Sequence, residues 1–586
     1  MNLNALRQRY ASGTKPHDVV ASIYDRIEKG SLAPVWISLV PREAASAQAK
    51  ALEARSASSL PLYGVPFAVK DNIDVAGLPT TAGCPAYAYS PDRSATVVSR
   101  LVEAGAILIG KTNMDQFATG LVGTRSPHGA CSSVFDERYI SGGSSSGSAV
   151  AVALGLVAFS LGTDTAGSGR VPAAFNDLIG MKPTRGLLST AGVVPACRTL
   201  DCVSIFTRSC SDADAVLAVA RGLDPADPYS REPEPGDGAA PWLGGPFRFG
   251  VPAADQLQFF GDKEAAGLFA QAVARLENLG GQRIEIDYSV FKAAADLLYQ
   301  GPWVAERTAA LGSFLETHGD QMDPTVRQII SGGTRYSAVQ TFEAAYRLEG
   351  LRRAAAREWL KMDVLFLPTT GTIYTKEAVA AEPIKLNTNL GFYTNFVNLL
   401  VLAAVAVPAG FRSTGLPFGV SLIGPAFSDQ ALLSLGSLFQ TGVPLCTRTC
   451  PPGCTEIAVV GAHLSGQPLN HQLVERGARL QRTTRTSANY RFYALPGTTP
   501  PKPGLIRDAD TSGHGIEVEV WNMPENLFGG FVAGVPKPLS IGDVELESGA
   551  WVKGFLCEPA GLSGAQEITA LGSWRAFLAN RAASGD

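Results

Sequence analysis

The sequence contains few charged residues for its length. They make up 17% of the 586 positions, and the formal net charge at pH 7 is only -4. Binding to nucleic acid or to an acidic membrane usually depends on a strongly basic surface. No run of lysines or arginines occurs, so we expect neither partner. A chain of this length, with 46% hydrophobic residues, predicts a well-packed protein of two or more domains.

Long apolar runs are also missing. The longest, Leu399–Phe411, is too short to span a membrane and contains Pro408. The first residues, MNLNALRQRYASG, lack the apolar core of a signal peptide. We therefore expect a cytoplasmic protein.

Cysteine and histidine are scarce, with nine and six residues respectively. Nine cysteines in so long a chain do not make a disulfide scaffold, so reduced thiols are expected. Cys446, Cys450 and Cys454 form a C-x3-C-x3-C series, but Pro451–Gly453 interrupts any helix that would align them. Zinc sites also require a fourth ligand. We interpret the series as a linker and expect no metal.

Small residues, in contrast, are concentrated between Ser141 and Pro172. Two glycine- and serine-rich loops, Gly142–Ser148 and Gly162–Gly169, flank the apolar run Ala149–Leu161. Helix formers at the start of this run and β-branched or aromatic residues towards its end predict a buried helix followed by a short strand. Such loops would be held rigidly, with backbone N–H groups open to a ligand and serines available as nucleophiles or proton relays.

A lysine precedes these loops in the segment PLYGVPFAVKDN. The apolar run Val65–Val69 predicts a buried strand that ends at Lys70. A lysine in this position is more often a surface residue whose stem lies along apolar atoms. The two serine loops nevertheless make Lys70 a candidate catalytic base.

The motifs GVPFAVKDN, GGSSSGS and GTDTAGS, in this order, resemble those of the amidase signature family of Ser-Ser-Lys amide hydrolases. The resemblance runs from about Leu6 to Gly442. It implies that Ser168 is the nucleophile, Ser144 the bridging serine and neutral Lys70 the base, and it implies no metal or organic cofactor. Lowering a lysine pKa from about 10.4 to roughly 7 costs about 4 to 5 kcal/mol of lost charge solvation. Lys70 must therefore be buried.

The turn before the nucleophile would also supply the oxyanion hole. The expected donors are four consecutive backbone N–H groups: Thr165, Ala166, Gly167 and Ser168. Many relatives carry glycine where this chain has Ala166, and alanine is penalised if that position needs a positive φ. Asp164 and Arg170 flank the turn, and we expect them to brace it by hydrogen bonds.

Strands and helices alternate along the first three quarters of the chain. This order predicts an α/β fold with a mostly parallel mixed central sheet covered by helices. We assign residues 1–445 to this catalytic domain, 446–454 to a linker and 455–586 to a second domain. Short strands separated by Gly, Pro and Asn turns predict a small β-rich second domain. Its alternating segment IEVEV, Ile516–Val520, predicts a sheet with one wet face.

The second domain narrows the family resemblance. GAHLSGQPLNHQL and EITALGSWRAFL are similar to segments of the C-terminal domain of allophanate hydrolases, a fold like that of gamma-glutamyl cyclotransferases. Tyr299 and Arg307, in YQGPWVAER, match by position a pair that those enzymes use to hold the substrate carboxylate. An arginine suits this role because its planar fork donates two parallel hydrogen bonds.

The resemblance therefore implies hydrolysis of allophanate to ammonia and carbon dioxide by a homodimeric enzyme. His463 is a possible site residue of the second domain, which either performs a decarboxylation or only supports dimerisation. Two alternatives stay open. One is the glutamine-amidase subunit of a tRNA-dependent amidotransferase, which TNMDQFATG also resembles, and the other is a non-catalytic scaffold with the amidase fold.

Overall fold

The computed structural model describes residues 1–30, 34–233, 247–445, 454–508 and 515–584. These residues form two compact units. The first comprises residues 1–233 and 247–445, and the second the described residues from 454 onwards. Of the cysteine series, Cys446 and Cys450 lie outside the described residues. None of the described helices is long and apolar enough to cross a membrane.

The first unit is built on an 11-stranded sheet with the order β1-β3-β2-β4-β6-β5-β10-β11-β9-β7-β8. Its strands are β1 (Trp36–Leu39), β2 (Pro66–Lys70), β3 (Ile107–Thr112), β4 (Phe159–Asp164), β5 (Ile179–Lys182), β6 (Cys202–Thr207), β7 (Phe247–Pro252), β8 (Gly281–Ile286), β9 (Val364–Pro368), β10 (Ala403–Phe411) and β11 (Pro417–Gly424).

The predicted α/β class and mixed sheet are confirmed, but the expectation that parallel pairs dominate is wrong. Four neighbouring pairs are parallel and six are antiparallel. Part of the reason is a short connection: only five residues join β10 to β11, whereas a parallel pair needs a crossover of about a dozen or more.

Sixteen α-helices accompany this sheet in the described part of the first unit. They are α1 (Leu3–Ala11), α2 (Pro16–Lys29), α3 (Arg42–Leu52), α4 (Thr96–Glu103), α5 (Ser146–Ala153), α6 (Val171–Phe175), α7 (Cys210–Ala220), α8 (Lys263–Asn278), α9 (Ser289–Gln300), α10 (Trp303–His318), α11 (Pro324–Ser331), α12 (Ala338–Trp359), α13 (Lys376–Ala381), α14 (Lys385–Leu390), α15 (Phe396–Leu399) and α16 (Asp429–Thr441). The interruption between α9 and α10 falls at Gly301 and Pro302, because proline fits the start of a helix but not its interior.

The second unit contains a 5-stranded and a 3-stranded sheet, with orders β13-β16-β12-β18-β17 and β15-β14-β19. The strands are β12 (Cys454–Val459), β13 (Arg479–Arg485), β14 (Tyr490–Ala494), β15 (Pro503–Arg507), β16 (Glu517–Pro524), β17 (Leu539–Glu545), β18 (Trp551–Cys557) and β19 (Gln566–Glu567). Its helices are α17 (His471–Val474), α18 (Glu525–Ala533) and α19 (Trp574–Ser584).

The predicted wet face of the IEVEV segment is wrong at Glu519, which is only 2% exposed. Its carboxylate accepts hydrogen bonds from the backbone and hydroxyl of Ser465, from Trp521 Nε1 and from Arg575. A buried carboxylate is tolerated when it is paired and hydrogen-bonded in this way. Glu519 thereby fixes the loop that carries His463.

Candidate active site

Two adjacent parallel strands bring the sequence motifs together. β2 and β4 pair in register, with Val69 opposite Leu161, and every residue of both strands is buried. The rings of Phe67 and Phe159 stack with their centroids 5.1 Å apart. Because parallel strands end at the same edge of a sheet, Lys70 and the turn after Asp164 meet there.

At this edge, Lys70, Ser144 and Ser168 form a continuous chain of polar atoms. Lys70 Nζ lies 2.7 Å from Ser144 Oγ, and Ser144 Oγ lies 2.9 Å from Ser168 Oγ. All three side chains are buried. Ser144 precedes helix α5, and its peptide bond with Gly143 is cis. The arrangement provides a path for a proton from Ser168 through Ser144 to the lysine.

The electrostatic surroundings suit a lysine that acts as a base. Burial lowers the pKa of Lys70 from its ordinary value near 10.5 to about 7. Nearby carboxylates raise this pKa and so limit the shift: Asp115, Asp201 and Asp164. A substantial fraction of Lys70 is therefore neutral at pH 7.

A threonine that the sequence analysis did not select also holds the lysine. Thr163 Oγ1 lies 2.8 Å from Lys70 Nζ and 3.4 Å from Asn72 Nδ2. The signal available in the sequence was a hydroxyl side chain directly before Asp164, at the end of the strand that leads into the nucleophile turn. Two hydroxyl contacts, to Ser144 and Thr163, orient the amine.

The turn from Thr165 to Ser168 requires one correction. The Gly167 N–H donates to Asp164 Oδ1 at 2.8 Å, so Gly167 is wrong as an oxyanion donor. Gly167 is instead the residue that takes the positive φ, +133°, and a Cβ there would clash with Thr394 Oγ1. Ala166 has no positive φ, so alanine carries no such penalty. Among the described residues, no acceptor is found for the N–H groups of Thr165, Ala166 or Ser168.

Asp164 and Arg170 are fully buried and joined by two hydrogen bonds. Arg170 Nε lies 2.9 Å from Asp164 Oδ2, and Arg170 Nη2 lies 3.0 Å from Asp164 Oδ1. Burial by itself would raise the pKa of Asp164, but Arg170, Lys182 and the Gly169 N–H together outweigh burial, so that pKa lies below its ordinary value. Arg170 also donates to the Thr394 carbonyl at 3.1 Å. The pair fixes the turn that carries Ser168.

Arg307 and Tyr299 lie together on the other side of the nucleophile. Arg307 is 2% exposed and donates to Thr119 Oγ1 at 3.0 Å, to the Ala118 carbonyl at 3.4 Å and to Tyr299 Oη at 3.5 Å. Each acceptor is neutral, and Arg307 Nε has no acceptor among the described residues. The next residue of this segment, Gly120, accepts a long hydrogen bond from Ser168 Oγ at 3.5 Å.

His463, the candidate of the second unit, lines a cavity of about 190 Å³. Its ring stacks on Phe555, with centroids 4.9 Å apart, and its Nε2 lies 3.1 Å from Gln472 Oε1. Burial lowers the pKa of His463, so the imidazole is neutral at pH 7. Lys502 supplies a cationic group in the same cavity wall. Within the described ranges, no group of three or more His, Cys, Asp or Glu side chains is placed to hold a metal ion.

The fold and the lysine-serine-serine arrangement are those of the amide hydrolases that the sequence motifs resemble. Comparison with known proteins gives the family: residues 18–433 match the Amidase family model, and the chain belongs to that family. Residues 455–579 match the allophanate hydrolase C-terminal domain.

Individual relatives agree with this assignment. The crystal structure of Kluyveromyces lactis allophanate hydrolase is similar with a TM-score of 0.82 and 44% identity, covering 99% of each chain. Urea amidolyase from Saccharomyces cerevisiae is 46% identical over 94% of this chain, which spans only about a third (32%) of that protein. A glutamyl-tRNA(Gln) amidotransferase subunit from Moorella thermoacetica is 32% identical over 72% of this chain and 92% of its own length.

Proposed function

We propose that this chain hydrolyses the terminal amide of allophanate, urea-1-carboxylate, through an acyl-enzyme intermediate on Ser168. The observation that carries the proposal is Arg307, a buried guanidinium with only neutral partners, one short segment away from a lysine-serine-serine relay. A buried cation whose hydrogen-bond acceptors are all neutral is incompletely compensated, and a substrate carboxylate would pair with it directly. Tyr299 would hold the same carboxylate from its hydroxyl.

Acylation uses the relay in one direction. Neutral Lys70 accepts the proton of Ser144, Ser144 takes that of Ser168, and Ser168 Oγ bonds to the amide carbonyl carbon. The N–H groups of Thr165, Ala166 and Ser168 stabilise the negative charge that forms on the carbonyl oxygen. The proton held on Lys70 then returns through Ser144 to the amide nitrogen, the C–N bond breaks, and ammonia leaves.

Deacylation repeats these steps with water as the nucleophile. Water bonds to the acyl carbon, its proton passes to the relay, and Ser168 leaves as a hydroxyl. The product carries two carboxylates on one nitrogen. Loss of both as carbon dioxide releases the second ammonia, so one allophanate and one water yield two ammonia and two carbon dioxide.

Two kinds of relative bear on the choice of substrate. Full-length similarity to an enzyme described as allophanate hydrolase supports the proposal, and so does the match of the second unit to that enzyme's C-terminal domain. The amidotransferase relative matches only 72% of the chain and supports the alternative of a glutamine amidase. The complete Lys70, Ser144 and Ser168 set argues against a non-catalytic scaffold.

Ammonia release by the purified chain from allophanate, glutamine, malonamate and biuret tests the proposal. We expect the highest kcat/KM for allophanate. Biuret is the matched control because an amide replaces the carboxylate with little change in shape. A preference for glutamine, or no turnover of any amide, would contradict the assignment.

We also propose that the cavity around His463 receives the dicarboxylated product and promotes its decarboxylation. The neutral imidazole donates its Nε2 N–H to Gln472 Oε1, so its free Nδ1 can take a proton from a carboxylic acid group of the product and pass it to the nitrogen from which carbon dioxide leaves. Lys502 can pair with the other carboxylate. His463→Ala should leave the first ammonia unchanged and slow carbon dioxide release, measured in the full chain by isotope-ratio detection. Equal release by variant and wild type would leave the second unit with a structural role.

A homodimer in the cytoplasm completes the proposal. Helix α12 presents Val339, Phe342 and Tyr346 on one side with 67%, 62% and 71% of each residue exposed, which supports burial in an interface. Free buried thiols such as Cys131 and Cys197 suit a reducing compartment. Light scattering of the full chain should give twice the monomer mass, and a single 61.5 kDa species would contradict the dimer.

A further inference from the structure

Asp201 is a buried carboxylate to which the mechanism above assigns no step. It is 5% exposed. Its Oδ1 accepts from Thr165 Oγ1 at 2.5 Å and from the Cys197 N–H at 3.2 Å, and its Oδ2 accepts from the Ala196 N–H at 2.9 Å. Burial raises the pKa of Asp201 to about 6, so the carboxylate is mostly ionised at pH 7. One side chain thus joins the nucleophile turn to the segment 196–201.

The same segment is fixed to helix α10, which carries Arg307. The backbone N–H and the hydroxyl of Thr199 donate to the two carboxylate oxygens of Glu306, each at 2.7 Å. Cys197 Sγ donates to the Trp303 carbonyl at 3.4 Å. Glu306 directly precedes Arg307 in the helix. The segment 196–201 therefore makes polar contacts with the nucleophile turn on one side and with helix α10 on the other.

Apolar packing follows the same path. Ala166 of the nucleophile turn belongs to one buried cluster with Cys197 and Leu200, and Tyr299 packs against that cluster. The turn and the arginine helix are consequently attached to a common layer of side chains.

We propose that Asp201 is a positioning residue that holds the nucleophile turn, through Thr165, in register with Arg307. The segment 196–201 would then set the separation between the attacking Ser168 and the group that binds the carboxylate. This proposal rests on the proposed function and deepens it, because the position of the segment 196–201 would then determine how long a substrate the site accepts. A short amide whose carboxylate lies one atom from the scissile carbonyl is the class it selects.

The two ends of the connection should affect different kinetic constants. Thr165 supplies an oxyanion donor, and a donor displaced by about 1 Å can cost about 10²-fold in rate. Loss of the Thr165–Asp201 contact should therefore lower kcat for any amide. Loss of the Thr199–Glu306 contact should instead raise KM for a carboxylated substrate, because it loosens the helix that carries Arg307.

The experiment compares Thr165→Val, Thr165→Ser, Asp201→Asn and Glu306→Gln in the full chain, with allophanate and biuret as substrates. Thr190→Val is the matched control. Thr190 donates to Asp227 through its backbone and hydroxyl, at 2.6 and 2.9 Å, in the wall of the cavity that Asp201 also lines. It repeats the threonine-aspartate pairing without touching the nucleophile turn.

We expect Thr165→Val and Asp201→Asn to lower kcat about 10²-fold on both substrates, with KM changed less than threefold. Thr165→Ser retains the hydroxyl and should stay within about threefold of wild type, a rescue that loss of packing would not give. Glu306→Gln should raise KM for allophanate several-fold and leave biuret turnover unchanged. Thr190→Val should match wild type in both constants.

Two results would overturn the proposal: a kcat for Thr165→Val within threefold of wild type, or a Thr165→Ser variant as slow as Thr165→Val. If Asp201→Asn fails to fold, judged by circular dichroism, the Thr165 pair decides alone. Failure of the proposed function looks different, because the wild type then does not turn over allophanate. The kcat comparison is in that case made on whichever amide the wild type hydrolyses, since it does not depend on the carboxylate.

Discussion

Arg170 and Arg307 are both buried beside the nucleophile, and their surroundings are opposite. Arg170 makes two hydrogen bonds to Asp164 and forms an ion pair with it. Arg307 donates only to neutral oxygens. Each arginine keeps one nitrogen without an acceptor among the described residues, so the difference between them is the charge of the partner. The comparison separates two uses of a buried cation. A buried cation in an ion pair stabilises the fold. A buried cation with only neutral hydrogen-bond partners is suited to binding an anionic ligand.

The largest effect is expected when the nucleophile is removed and both arginines are kept. Ser168→Ala should lower ammonia release from allophanate by at least about 10⁴-fold, because no other hydroxyl occupies the end of the relay. The fold should persist, since alanine fits wherever serine does and the turn is held by Asp164. Ammonia assays and thermal melts of variant and wild type provide the two readouts. A residual rate close to that of the wild type would remove Ser168 from its role.

Replacing each arginine by methionine should show which arginine stabilises the fold and which is available for substrate binding. Arg170→Met leaves Asp164 buried and unpaired, so the free energy of unfolding should fall by about 3 to 5 kcal/mol. Arg307→Met removes a cation that forms no direct ion pair among the described residues and interacts with Asp201 and Glu306 only at longer range, so stability should fall much less than for Arg170→Met. Denaturant titrations of the two variants give the comparison within one protein. Equal destabilisation would mean that Arg307 is structural.

The smallest expected effect concerns pH. The pKa of Lys70 is lowered to about 7 by burial, and the relay needs its neutral form. Activity should therefore be constant above pH 7 and fall about tenfold per pH unit below it, as the lysine becomes protonated. A pH profile of kcat/KM for biuret, which has no carboxylate to titrate, measures this limb. Activity that stays level down to pH 5.5 would contradict a lysine base.

The sequence was sufficient for the parts of the site that depend on local order. Lys70, Ser144 and Ser168 meet as the motifs predict, because each follows or precedes a short element whose pattern is clear. The predicted bracing of the turn by Asp164 and Arg170 is also observed. It could be predicted because the two residues are only six positions apart and flank the same turn.

Other features depend on contacts between distant residues and were missed. Asp201 is 36 residues from Thr165, and nothing in its neighbourhood marks it as buried. Gly167 was assigned to the oxyanion hole because the sequence does not reveal that Asp164 accepts its N–H. The burial of Glu519 was missed for the same reason: its cationic partner, Arg575, lies 56 residues further on. Alternation of apolar and charged residues predicts an exposed face only when no such partner exists.

The ratio of kcat/KM for allophanate to that for biuret, in wild type and in Arg307→Met, tests the central claim most directly. The two substrates differ in the group that Arg307 would pair with, and both would be attacked by the same relay. We predict a wild-type ratio above about 10² that falls to near one in the variant, with biuret turnover little changed. A ratio that is the same in both proteins would show that Arg307 does not select the carboxylate.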